Sequence, residues 1–364
     1  MTLATRRRLA TASVAAIAVA GAVAAPAAAS AHLPSGHHAA PSHGHHHPTK
    51  PSAPSVKTAS LLTGQYQSSY SARNHLLWVT SAVGRPPVTN SKLTAVDPRT
   101  LTVKKTITPP VTDESTGALE AVYGAAVDDE HNNVWVTNTR NNSVAVYNQK
   151  TGAHLATLPD VGHSREVAVD ERHDLAWATG NGDGSVVAFS TRTLKEVKRF
   201  TLDGSSPAGI AVDERTGNAY ATDLAGNRII EVNAASDAIR LIPTGEGPIS
   251  IALSKDGRTA YTADQGGGSV TAVDVVRGVT GKSLATGEGA LSVAVDPKSG
   301  EVVVANRTAA TLTVADKALR KVVATVPTNA NPNHVEFGGG NGWVLDKSGA
   351  GANGEDTLYR VSLR

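Results

Sequence analysis

Cysteine is absent from the 364 residues, methionine occurs once, and aromatic side chains make up only 4%. The first absence excludes disulfides, thiolate metal centres and Cys-x-x-Cys-His haem attachment, so packing and backbone hydrogen bonds alone have to hold the fold. Long apolar runs are missing beyond the first 25 residues, which leaves the rest of the chain without a stretch of the roughly 20 apolar residues that a membrane-crossing helix needs. Three motifs are also missing: Gly-x-Ser-x-Gly, His-Glu-x-x-His and Gly-x-x-x-x-Gly-Lys-Ser/Thr. A nucleophile elbow, a zincin helix and a phosphate loop are thereby excluded.

What is present begins with Arg6, Arg7 and Arg8, an apolar run over residues 9–25, Pro26 and a small-residue stretch ending Ala29-Ser30-Ala31. This order reads as a secretory signal peptide over residues 1–31, cleaved before His32, with general secretion ranked ahead of twin-arginine export. The expected location is therefore secreted, extracellular, with no membrane span after cleavage. Removing the segment takes away three arginines and no acid, so 31 basic residues face 32 acidic ones, a net charge of −1. That balance gives no global electrostatic support for nucleic acid as a partner.

Residues 32–57 are Pro, Ser, Ala and His with almost nothing apolar, a composition that reads as a disordered spacer. Seven of the thirteen histidines fall here, and His43, His45, His46 and His47 are close enough in sequence to offer several imidazoles to one Zn²⁺ or Cu²⁺ ion. A solvated tether with incidental histidines is the alternative.

The organising feature is a repeat. All four tryptophans fall in one register, at Trp78-Val-Thr-Ser81, Trp135-Val-Thr-Asn138, Trp177-Ala-Thr-Gly180 and Trp343-Val-Leu-Asp346. Tyr220-Ala-Thr-Asp223, Tyr261-Thr-Ala-Asp264 and Val303-Val-Ala-Asn306 complete a set of seven. From Trp135 onward the spacings are 42, 43, 41, 42 and 40 residues, the length of one four-stranded propeller blade. Short alternating strands bounded by Gly, Asn, Asp and Pro recur around each anchor, as in Ser143-Val-Ala-Val-Tyr-Asn148. The spacing predicts an all-β, seven-bladed β-propeller over residues 58–364, built of four-stranded antiparallel blades. Only three strands follow the sixth blade, so the segment 56–62 is the natural donor of the fourth, closing the ring from both ends.

With Trp135-Val-Thr-Asn138-x₄-Ser143-Val-Ala-Val and the Gly-x-x-Pro-x-x-x-Ala-Val-Asp run from Gly204 to Asp213, the chain resembles the YVTN-repeat β-propellers, the YncE-like family. The resemblance covers residues 58–364 and implies fold rather than activity, because propellers host many unrelated functions.

Departures from the regular repeat point to a site. From anchor to the end of the third strand, blades 2 to 6 use 13 residues, whereas blades 1 and 7 use 19. The extra residues, 82–91 and 347–356, lie in loops of one face, and the long connection 109–123 opens onto that same face. Three lengthened loops together read as a rim or lid.

At the mouth of the channel the register gives a ring of Gln67, Gly124, Glu166, Gly209, Ser250, Ser292 and His334. Tyr66, Tyr123 and Arg165 come one position earlier in their strands, and Asn333 and His163 lie nearby. The ligand-binding candidates are thus Tyr66, Gln67, Tyr123, Arg165, Glu166, Asn333 and His334, a mixed mouth suited to a peptide, a glycan or a small polar ligand. Strand-end capping is the competing role for the same side chains. Asp223, Asp264 and Asp346, joined by Glu166, form an alternative oxygen set for Ca²⁺ and metal-assisted lactone hydrolysis. The same repeat position also holds Asn138, Asn306, Ser81 and Gly180, which suits loop capping better. The expectation is a monomeric, non-catalytic binding module.

Overall fold

The computed structural model describes residues 54–363, so the expected export segment and the histidine-rich stretch with His43, His45, His46 and His47 lie outside the described residues. Seven four-stranded antiparallel sheets form the blades of a propeller. Blade 1 runs outward from the channel as strands a to d: Gln65–Ser71, Leu76–Val83, Asn90–Val96 and Val103–Ile107. Blades 2 to 6 repeat that order.

Blade 7 takes its inner three strands, Pro332–Gly338, Asn341–Asp346 and Thr357–Ser362, from the end of the chain and its outermost strand, Ser55–Ser60, from the start. Six residue pairs, from Ser55 with Ser362 to Ser60 with Thr357, join the two ends. The ring closes as the repeat count requires, and the closing strand starts at Ser55, inside the stretch whose composition reads as spacer.

Successive side chains point to opposite faces of a sheet, and the inner strands are buried on both, as in Asn133–Asn138 and Val302–Asn306, so each sheet has two faces to bury and each meets a neighbouring blade. Seven separate apolar clusters result, one across every blade boundary, including the 7–1 seam, where Leu77, Val79, Trp343, Leu345 and Leu358 meet. The four tryptophans are fully buried. Two also reach across a boundary: the Trp78 indole donates to Gln149 Oε1 at 2.9 Å, and the Trp343 indole donates to the Pro98 carbonyl at 3.1 Å.

The threonine of the repeat signature has a defined task. Strand a carries a bulge opposite it in blades 1 to 4, leaving backbone amides without a ladder partner. The threonine hydroxyl fills that gap by accepting from Gln67 N at Thr80, from Gly124 N at Thr137, from Glu166 N at Thr179 and from Gly209 N at Thr222. Three of these hydroxyls also donate to the next blade: Thr80 to the Tyr123 carbonyl, Thr137 to Arg165 at 2.9 Å and Thr179 to Ala208 at 2.7 Å. Blades 5 to 7 have Ala263, Ala305 and Leu345 at this position. There the stitch shifts to strand a, where Ser250 and Ser292 accept from Val293 N and Val335 N of the following blade.

Small residues in the ring are a packing requirement. A Cβ on Gly124 would lie 2.7 Å from the Arg165 carbonyl, and one on Gly209 would lie 2.6 Å from the Ser250 Cα.

Candidate functional site

A cavity of about 500 Å³ opens at one end of the channel, within the size range of small-ligand pockets. Two rings of side chains shape it. The inner ring comes from the strand a position just before the expected one and includes Tyr66, Tyr123, Arg165, Ile249, Leu291 and Asn333. The outer ring comes from the residue that follows each four-residue anchor, namely Ala82, Thr139, Leu224, Gln265, Arg307 and Lys347, joined by Arg140 from a short 3₁₀ turn over Thr139–Asn141.

The inner ring is fixed by the blade stitches. The carbonyls of Tyr123 and Arg165 are held by Thr80 and Thr137, and the Tyr66 carbonyl accepts from the Asn333 amide at 2.7 Å. The three long loops meet here as well. Gly84 and Val88 of the first, Ala121 of the second and Lys347 of the third all line the cavity. The connection between blades 1 and 2 folds into a small hairpin, Val111–Asp113 with Ala118–Leu119, and Leu119 N donates to the Val88 carbonyl at 2.8 Å. Ala82, Val88 and Ala121 form a buried apolar cluster against Tyr66, so the loops are packed wall rather than loose rim.

The walls have opposite character. Leu224, Ile249 and Leu291 make an apolar patch on blades 4 to 6. Arg140, Arg165, Arg307 and Lys347 supply four cations, and among the described residues no carboxylate lines the cavity. Among the described residues none of the four is in an ion pair. Tyr66 and Tyr123 pack with ring centroids 4.6 Å apart, Lys347 Nζ sits 3.3 Å from the Tyr66 centroid, and the Arg165 guanidinium lies 5.5 Å from that of Tyr123. Such cation–ring contacts hold the charges in place without neutralising them.

The local field is visible in the titrating groups. Burial pushes the Lys347 ammonium down to about 8, with Arg307 and Arg140 adding to the effect and Asp356 opposing it. Burial also lowers His163, and the Arg140 and Arg165 charges lower it further. Both are responses to a desolvated, positively charged enclosure.

Of the expected ligand-binding residues, Tyr66, Tyr123, Arg165 and Asn333 line this cavity, whereas Gln67, Glu166 and His334 do not. The reason is the strand a bulge, which turns consecutive side chains to different heights. Glu166 is tied up structurally, accepting from Gln67 Nε2 at 2.9 Å and from Ile210 N at 3.2 Å, and burial pushes its carboxyl up to about 7. His334 Nε2 donates to the Ser68 carbonyl at 3.2 Å, and burial pushes the imidazole down to about 4. A second buried acid absent from the expected ring, Glu336, accepts from Ser68 Oγ and Tyr70 N, and burial pushes it up to about 8. The acid and base of the expected mixed mouth are therefore channel-lining connectors, and the mouth itself is cationic.

Arg140, Arg307 and Lys347 escaped the sequence reading, although the repeat contains their signal: they stand one or two places after the anchors ending in Asn138, Asn306 and Asp346. The aspartates considered for Ca²⁺ do not converge. Asp223 accepts from Ser206 N and pairs with Arg228 at 2.8 Å, and Asp264 accepts from three hydroxyls, those of Thr262, Ser269 and Thr271. Among the described residues the one group with metal-ligating proximity is Glu130, His131 and Asp174, in the a–b turns of the opposite face, where Asp174 already pairs with Arg192 at 2.8 Å.

The chain matches no family model and no curated protein with which it was compared. No helix among the described residues is long and apolar enough to cross a membrane.

Proposed function

We propose that this seven-bladed propeller is a secreted binding module of the YVTN-repeat, YncE-like type, whose lid-bearing face takes a small anion with an apolar body. One observation carries the reading: four cationic side chains, none of them in an ion pair among the described residues, share a cavity of about 500 Å³ with a Leu224–Ile249–Leu291 patch. Arg165, Arg307 and Lys347 are half-buried while Arg140 is exposed; half-buried cations outside ion pairs are costly to maintain unless a ligand completes them, and a carboxylate or phosphate does so with charge-assisted hydrogen bonds. The apolar patch gives the rest of such a ligand a place to leave water. Uncharged glycans gain little from this lining.

The test is thermal unfolding of the full chain with hexanoate, hexanol and an uncharged trisaccharide in parallel. Hexanoate raises the melting temperature by several degrees at about 100 times its Kd, and the neutral compounds do not. Stabilisation by the trisaccharide with none by hexanoate contradicts the proposal.

A further inference from the structure

Lys347 differs from the three arginines of the cavity in being able to lose its proton and act as a nucleophile. It is the first residue after strand Asn341–Asp346, lines the cavity, and lays its Nζ against the Tyr66 ring at 3.3 Å from the centroid. Asp356 acts on the Lys347 charge but is in no ion pair with it among the described residues; it accepts from Gln65 N with Oδ2 at 2.8 Å and from Gly349 N with Oδ1 at 2.9 Å. Arg140 and Arg307 flank the same space and act on the Lys347 charge. An amine held on an aromatic face, beside two guanidiniums and facing an open cavity, has the surroundings of an imine-forming lysine.

We infer that Lys347 is a covalent capture point for a small carboxylate bearing an aldehyde or 2-oxo group, its carboxylate held by Arg140 and Arg307. The step balances without an added redox partner. The Nζ lone pair of the neutral amine forms a bond to the carbonyl carbon, and the carbonyl oxygen takes up one proton from Nζ and one from solvent and leaves as water. A protonated imine remains, and water reverses the reaction. Burial leaves about a tenth of the Lys347 side chains neutral at pH 7, given a value near 8, so the nucleophilic form is populated without a separate base.

The inference rests on the anion-binding reading and is tested beside it. The full chain is incubated with glyoxylate, reduced with sodium cyanoborohydride and mapped by peptide mass spectrometry, with acetaldehyde as the uncharged carbonyl control. Hexanoate binding by the unmodified protein is titrated in the same buffer. The expected result is labelling of Lys347 at least about tenfold above exposed lysines such as Lys150 and Lys255 with glyoxylate, no such preference with acetaldehyde, and loss of the preference in Arg140→Gln/Arg307→Gln. Excess hexanoate suppresses the Lys347 label. Even labelling of all lysines, together with normal hexanoate binding, overturns the capture step alone. Even labelling with no hexanoate binding overturns the anion reading as well.

Discussion

The Thr137 hydroxyl donates to the Arg165 carbonyl at 2.9 Å while accepting from Gly124 N at 2.7 Å, so one side chain joins blade 2 to blade 3 and sets a cationic residue on the cavity wall. Scaffold and site thus share a part. In Thr137→Val the shape is nearly kept but a buried amide and a carbonyl lose their partner, at a cost of about 1–3 kcal/mol. Urea unfolding is expected to show that loss, and Thr137→Ser is expected to recover most of it. A Thr137→Val protein as stable as wild type would mean that the stitch carries no weight.

The buried acids give the fold an unusual pH dependence. Glu166 and Glu336 titrate near 7 and 8 in the folded chain, above their ordinary range, so the folded state binds more protons than the unfolded one until those values are passed. Their contribution to stability is fully present at low pH and is lost as pH rises to about 8. His334, held down to about 4, opposes this only below about 6.5. Between pH 6.5 and 8, melting temperature is therefore expected to fall, and Glu166→Gln/Glu336→Gln is expected to flatten that slope. An unchanged slope in the double variant would remove the two glutamates as its cause.

Lys347 acts in the opposite sense and in a later window. Its folded value near 8 lies below the ordinary lysine value of 10.5, so the unfolded state binds more protons as pH rises from about 8 to 10.5, and stability rises there. The groups that face it are Arg140, Arg307, Asp356 and Tyr66. Lys347→Met is expected to raise the melting temperature at pH 7 by about 2 °C, after allowance for solvent screening of a side chain that keeps some exposure. Anion affinity runs with the charge: it is highest below pH 8 and falls above it, by a smaller factor in Lys347→Met.

Ring closure can be tested by removing residues 55–60. That deletion strips the outer strand from blade 7 and leaves Thr357–Ser362 as an open edge, a template for intermolecular pairing. Broadened unfolding and concentration-dependent aggregation are expected in calorimetry and light scattering. A deletion protein that melts as sharply as the intact chain would show that the 7–1 seam does not depend on this strand.

Sequence and structure agree most closely where one residue type answers to one physical demand. Tryptophan or tyrosine at six of the seven anchors, with Val303 at the other, marks a buried position that repeats, and turn residues mark the strand ends, so blade number and closure were legible. The site was half legible. Tyr66, Tyr123, Arg165 and Asn333 were within one position of the expected ring, but a β-bulge alters which of two neighbours faces the mouth, and single-residue alternation gives no warning of it. Glu166 and His334 stood out by charge, and charge alone does not distinguish a ligand contact from a connector such as the Glu166 bond to Ile210 N. Arg140, Arg307 and Lys347 were hidden by being ordinary loop cations in sequence, since only the ring geometry brings blades 2, 6 and 7 together.

Calorimetric titration of hexanoate into the wild-type chain and into Arg140→Gln/Arg307→Gln tests the cavity assignment most directly. One-site binding to the wild type, with Kd raised at least about tenfold in the double variant and rising with salt, is the predicted result. The same Kd in both proteins, or no binding heat with the wild type at millimolar ligand, would contradict it.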